Sequence, residues 1–259
     1  MAGITIAGGP PPQIIECYVS EDMYEGQLCA HGRTAGLGAE VQILDVSDET
    51  WEDDYGPIGL VVGVVNQRTN YDSTYKGAKC TYTTTSATMA ADTDRQDAGI
   101  VQVAVIQPMV TVLRAPIYDG AFGTALVDAI EDGGSSYTVY QDATYTLTAD
   151  TNDDYGTMYV RSGANRGLYR ICTTYSNSTL TCTTTLKFPW ANAVGDKFTF
   201  AAVTKGYTQV YFGSTANYID GDIAAGTTGF GVFVTKLDLS SPGNEFCEFM
   251  VANTSHIHA

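Results

Sequence analysis

The chain has 259 residues and a formal net charge of −16; only 16% of its residues are charged, while Tyr (17) and Gly (27) are abundant. A chain this acidic disfavours a free basic patch for phosphate backbones, which need clustered Lys and Arg. An apolar share of 44% is enough for a core, and Thr-rich tracts such as "TYTTTS" and "TCTTT" favour strands over helices. The acidity reads as solubility or, more sharply, as a surface for a basic partner or a divalent cation.

Residues 1–12, ending in "GGPPP", read as an extended arm, because Pro cannot donate to a sheet ladder. Residues 13–112 read as an N-terminal β-barrel domain of short strands. "QIIECYV" is followed by a tight turn at Glu25-Gly26, and "AEVQILDV" alternates Val41 and Ile43 against Gln42 and Leu44. "GLVVGVVNQ" is a near-continuous apolar run broken by Gly63, the mark of a bent or bulged strand. "YKGAKCTYTTT" places Lys79 and Cys80 on opposite faces, and "GIVQVAVIQP" turns Val101, Val103 and Val105 to one side. The acidic run "SDETWEDDYGP" is a solvated loop or a short helical turn, with metal binding as the minor alternative.

Pro108, Pro116 and Gly133-Gly134 punctuate the next stretch, where "GTALVDAIED" is the one segment that admits a helix. Residues 113–259 read as a C-terminal β-sandwich or barrel, with strands in "SYTVYQ", "TYTLTA", "GTMYVRS", "GLYRICTTY", "STLTCTTTL", "DKFTFAAV", "YTQVYFG", "GFGVFVTKLDL" and "NEFCEFMVA". No 3.6-residue periodicity persists for three turns, which disfavours a parallel α/β fold. The expected fold class is therefore all-β: two small β-barrel or sandwich domains with an extended N-terminal arm.

Catalytic signatures are missing. GxSxG, GxxxxGK[ST] and HExxH do not occur, and no GxGxxG follows a strand. His31, His256 and His258 stand apart from Cys and Ser, although His256 and His258 would share one face of a strand. "DTNDDYG" puts Asp150, Asn152 and Asp154 at calcium-loop spacing, but Tyr155 and Arg161 replace the required Gly and Glu. "NST" at 177 and "NTS" at 253 match the glycosylation acceptor pattern and read as polar turns. Cys17, Cys29, Cys80, Cys172, Cys182 and Cys247 show no CxxC pairing. We expect no enzyme activity, no cofactor and no metal. The opening "MAGITIAGGPPPQIIEC" lacks the basic and apolar segments of a signal peptide, and no apolar run reaches membrane-spanning length. The expectation is synthesis in a cytosol, with mostly reduced thiols, no membrane and no nucleic-acid partner.

The stretch "GTMYVRSGANRGLYRICTTYSNSTLTC" reads strand, turn, strand, turn, strand. Two Gly and an Asn in Ser162–Gly167 supply positive φ. If Ser176-Asn177-Ser178 is a three-residue loop, Cys172 opposes Cys182 on one face, within reach of a disulfide. Trp190, in "KFPWANAVGD", reads as a core or hinge residue, or else, with Trp51, as an exposed platform for sugars.

"GTMYVRSGANRGLYRICTTYSNSTLTCTTTLKFPWANAVGDKFTF" resembles a β-module of tailed-phage virion proteins, through Ser162, Gly163, Asn165, Gly167, Tyr169, Arg170, Pro189, Ala193, Gly195, Asp196 and Phe198. The N-terminal half is similar, more loosely, to capsid decoration (cement) proteins, with an extended arm, an "EGQL" start and a "GLVVGVV" strand. The resemblance implies a virion structural protein on the outside of a phage capsid that stabilises the shell. It implies the major capsid protein and self, as a homotrimer, as partners. It makes the arm, with Ile4, Ile6, Pro10, Pro11 and Pro12, a partner-binding clamp. Decoration proteins are often one small domain, so a carbohydrate- or receptor-binding module of a tail or fibre remains the alternative.

Overall fold

The computed structural model describes residues 3–19, 21–31, 40–44, 58–72, 77–82, 99–119, 124–126, 128–144, 156–176, 180–210, 212, 218–219, 221 and 230–252. Every regular element among them is a strand, and the protein is all-β. Two compact units form: Met1–Ala115 with Phe212–Tyr218 and Met250–Ala259, and Pro116–Tyr211 with Ile219–Phe249. The acidic run at 48–54, the "DTNDDY" segment, Trp51, His256 and His258 lie outside the described residues.

The first unit carries β1 (Thr5–Gly8), β2 (Ile14–Val19), β3 (Met23–Tyr24), β4 (Leu28–His31), β5 (Glu40–Ile43), β6 (Gly59–Val64), β7 (Arg68–Asp72), β8 (Gly77–Cys80), β9 (Ile100–Val105) and β10 (Val112–Pro116). A closed barrel runs β2-β5-β4-β6-β9, and a three-stranded sheet runs β3-β8-β7. The barrel closes because β9 pairs with both β2 and β6. Alternation fills it: Cys17 and Val19, Cys29, Val41, Val61, and Val101 and Val103 all point into one core with Met23 and Cys80. The break read at Gly63 is a β-bulge. The register of β6 against β9 shifts between Val61 and Gly63. The extra residue lets Val61 and Val64, three apart, both pack on the core, and leaves Val62 exposed.

The Glu25-Gly26 turn links β3 to β4 and serves as a junction. Gly26 has φ +87°. Its N–H donates to the Val61 carbonyl at 2.8 Å and its carbonyl accepts the Ile4 N–H at 2.9 Å. Thr5–Gly8, part of the expected arm, forms β1 and pairs antiparallel with β10, Ile6 facing Leu113. Ile4 is buried and Ile6 half-buried, while Pro10 and Pro11 are exposed and Pro12 is intermediate.

The second unit carries β11 (Tyr118–Asp119), β12 (Thr124–Ala125), β13 (Ala129–Ile130), β14 (Val139–Asp142), β15 (Gly156–Val160), β16 (Tyr169–Ser176), β17 (Leu180–Thr184), β18 (Lys197–Ala201), β19 (Gly206–Val210), β20 (Phe230–Asp238) and β21 (Phe246–Val251). A six-stranded sheet runs β13-β18-β15-β16-β17-β14, and β19 pairs antiparallel with β20. Met158, Val160, Cys172, Leu180, Cys182, Phe198 and Phe200 build the core on one face of the six-stranded sheet. Tyr140 sits among them, meeting Phe188 and Phe198 edge-on with ring centroids 5.3 Å apart in each case.

Two sequence expectations are corrected here. "GTALVDAIED" is not helical: Thr124–Ala125 and Ala129–Ile130 are strands, with Ala129 opposite Phe198. The segment is too short to repay helix nucleation, and its polar groups find sheet partners instead. Cys172 and Cys182 do not face each other directly. Cys172 opposes Thr184 and Tyr175 opposes Cys182, with a register shift between Cys172 and Thr174. Ser176 opposes Thr181, and the bulge adds a further offset. The two cysteines are diagonal neighbours on the same buried face, and both are free thiols.

Candidate interaction surface

Ser162, Gly163, Asn165, Gly167, Pro189, Ala193, Gly195 and Asp196 gather at one end of the six-stranded sheet. There the β15–β16 turn, 162–167, meets the β17–β18 connection, 185–196. Asn165 is the bolt. It is fully buried, and its amide donates to the Trp190 carbonyl at 2.8 Å and to the Tyr140 hydroxyl at 3.1 Å. Its side-chain oxygen accepts the Trp190 N–H at 3.3 Å. Sequence reasoning assigned Asn165 to positive φ; that conformation belongs to Gly163 and Gly167 instead, and Asn165 is there for its amide. Burial pushes the Tyr140 hydroxyl above its usual range, and the Asn165 hydrogen bond opposes that shift.

A second fastening joins Gly163 to Asp196. Gly163 has φ +78°, and a Cβ there would collide with the Asp196 carboxylate. That carboxylate accepts the Ala193 N–H at 3.0 Å, closing the turn before β18. The Lys197 N–H donates to the Ser162 hydroxyl at 2.6 Å. The Arg161 and Ser162 N–H groups donate to the Lys197 carbonyl at 2.7 and 3.1 Å.

Asn192 and Glu131 extend the network. Asn192 donates from its amide to the Val139 carbonyl at 2.7 Å and accepts the Ser136 N–H. The Glu131 carboxylate accepts the Gly133 and Gln141 N–H groups, each at 2.8 Å. Burial nonetheless raises its affinity for a proton, with these hydrogen bonds acting in the opposite direction. Behind this end, Arg161 is buried between the carboxylates of Asp128 and Glu245 and donates to the Leu239 carbonyl at 3.0 Å.

What this framework presents is apolar and basic. Trp190 is 57% exposed, which corrects the expectation of a core residue, and Val194 and Leu186 are 69% and 68% exposed. The physical reason is that the Trp190 peptide, not its indole, is the part the fold uses. Arg166, next to Asn165, is exposed, as are Lys187 and Lys197. Arg170 lies over the Phe188 ring at 4.8 Å and donates to the Lys187 carbonyl at 3.3 Å.

A signal in the sequence pointed here and was missed. Residues 156–205 hold six cations, Arg161, Arg166, Arg170, Lys187, Lys197 and Lys205, against one carboxylate, Asp196. That is a local charge of +5 in a chain of −16, leaving −21 for the remainder. Of these cations Arg161 is buried against Asp128 and Glu245, and Lys205 lies past the far end of β18, so the exposed cations at this end are Arg166, Lys187 and Lys197.

The thiols are chemically quiet. Burial pushes Cys29 and Cys247 far above the usual thiol range and Cys80 up to about 11. Cys182 is raised by burial and then by its neighbour Cys172. Thiols held protonated are poor nucleophiles and poor metal ligands. Among the described residues no cluster of three His, Cys, Asp or Glu side chains is arranged to hold a metal, and no helix is long and apolar enough to cross a membrane. No family model matches the chain, and neither a curated protein nor a solved structure does.

Proposed function

We propose that this protein is a structural component of a tailed-phage particle, seated as a decoration protein on the outside of the capsid and stabilising the shell. The observation that carries the reading is what the module residues do. Ser162, Gly163, Asn165 and Asp196 fasten two connections into one rigid end, and the side chains left exposed there, Trp190, Val194 and Leu186, suit contact with another macromolecule. The reading takes the major capsid protein as partner, with self-association into a homotrimer, and many weak contacts on a symmetric lattice would add their strength. The N-terminal segment is held by β10 through β1, so a clamp built from it would work from Pro10–Pro12 rather than from Ile4 and Ile6. Mass spectrometry of purified particles tests the proposal: the chain should be present in fixed stoichiometry to the shell protein, and its absence from virions would refute it.

The second reading is a receptor-binding module of a tail or fibre. Trp190 favours it, because an exposed indole on a fixed backbone is a ready platform for a sugar ring. Imaging of intact particles with the chain labelled separates the two by location.

A further inference from the structure

We infer that the basic, Trp190-bearing end of the six-stranded sheet is a binding site for an acidic polysaccharide. The inference rests on the receptor-binding reading and does not need a place on the shell.

Three observations lead to it. The first is how the indole is presented. Trp190 is 57% exposed, yet both its N–H and its carbonyl are held by the buried Asn165 side chain. A surface aromatic on a mobile loop loses entropy when it engages a ligand; one fixed at both sides of its Cα has already lost much of it. The flat face of a pyranose ring is lined by C–H bonds and packs against the negative face of an aromatic ring.

The second is the cations around the indole. Arg166 follows Asn165 directly, Lys187 lies three residues before Trp190, and Lys197 follows Asp196. All three are exposed, and the ion pairs found among the described residues involve none of them. Arg and Lys bind carboxylates and sulfates by charge-assisted hydrogen bonds.

The third is the charge of the rest of the chain. A remainder of −21 repels a polymer with a charge on every unit, as in a nucleic acid. A polysaccharide that spaces its carboxylates between uncharged ring faces offers something to both the indole and the cations at a lower repulsive cost. The exposed Arg166, Lys187 and Lys197 supply the complementary charge at the end of the sheet where the indole stands.

The test is titration of the full-length protein with hyaluronan, heparosan and unsulfated chondroitin, in which a uronic acid alternates with a neutral sugar, alongside neutral dextran and an oligothymidylate. At least one acidic polysaccharide should bind, more weakly as salt rises, and with a change in tryptophan emission. Trp190→Ala should weaken binding by about tenfold or more, and Arg166→Ala with Lys187→Ala by about tenfold. Trp190→Phe should restore most of the loss, since Phe keeps an aromatic face. Near-UV circular dichroism of the tyrosines would show these surface variants folded. Binding to none of the three acidic polymers, or binding unchanged by Trp190→Ala, overturns the inference. Equal affinity for dextran overturns the acidic assignment and leaves the receptor-binding reading standing. Tighter binding of the oligothymidylate reassigns the site to nucleic acid. Absence of the chain from virions would refute both virion readings, whereas binding by this site is read directly from the titration of the purified protein.

Discussion

The barrel of the first unit closes through backbone pairing alone, β9 bonding to both β2 and β6, and its core is built of Val, Cys and Met. The six-stranded sheet of the second unit comes round on itself without a ladder between its outer strands β13 and β14: they meet through the Asp132 N–H, which donates to the Gln141 carbonyl at 2.8 Å, and through the Glu131 and Asp142 carboxylates, which accept the Gln141 and Ile130 N–H groups. Of the eleven buried polar side chains among the described residues, nine belong to this second unit. The difference shows what closure supplies. A closed ladder satisfies its own backbone groups, so its interior can be apolar. A seam without a full ladder, and long connections, leave backbone groups that side chains must satisfy, and here Asn165, Asn192, Glu131 and Asp196 do so. A polar network demands more of the sequence than an apolar core, because each missing partner leaves another group orphaned. It also gives a loop the rigidity of a strand.

That contrast can be broken at graded strength. The largest effect is expected for Arg161→Met. Arg161 is nearly buried, Glu245 is fully buried, and one oxygen of Glu245 has no hydrogen-bond partner. Removing the cation from two carboxylates should cost about 3–5 kcal/mol by urea denaturation. Asn165→Ala comes next. It orphans the Trp190 N–H and carbonyl and the Tyr140 hydroxyl, at a cost of about 3 kcal/mol. It should also depolarise the Trp190 fluorescence, which a purely apolar core change would not do.

Cys29→Ala in the barrel should cost less, about 1 kcal/mol. It removes one sulfur atom and a single long hydrogen bond to the Gly59 carbonyl at 3.4 Å. The thiols also set a pH dependence. Their affinity for protons is raised on folding, so the folded state binds more protons than the unfolded one at alkaline pH. Stability should be level below the ordinary thiol value of 9.0 and fall as pH rises past it, through at least the value of about 11 held by Cys80. Cys29→Ala should flatten part of that slope in urea melts followed against pH. The smallest effect belongs to Asp238, whose carboxyl is held below its usual range by the Ser240 hydroxyl and N–H, at 2.6 and 3.0 Å. Its contribution is present above the ordinary value of 3.8 and lost as pH falls below it, and Asp238→Asn should remove that acid-side loss.

Strands were legible wherever one face was buried: Val101 and Val103 in β9 and the bulge at Gly63 follow from alternation and its interruption. Registers were less legible. The shared face of Cys172 and Cys182 follows from parity, but the Ser176–Thr181 pairing and the bulge changed which residues stand opposite, and neither leaves a mark in the residue pattern. The candidate surface was the least legible part. "SGANRG" reads as a turn on Gly and Asn content, and nothing local says that Asn165 turns its amide inward to hold a tryptophan twenty-five residues away. The excess of cations in 156–205 was available in the sequence, but only the fold gathers Arg166, Lys187 and Lys197 at the same end of the sheet.

The central claim is that the 185–196 connection is held as firmly as the strands it joins. Amide hydrogen exchange followed by NMR tests it directly at Trp190, Asn192 and Ala193, whose N–H groups donate to Asn165, Ser136 and Asp196. The account predicts protection at all three comparable to that of β15 and β18, with Trp190 losing its protection in Asn165→Ala. Exchange at the rate of an open loop in the native protein would contradict it.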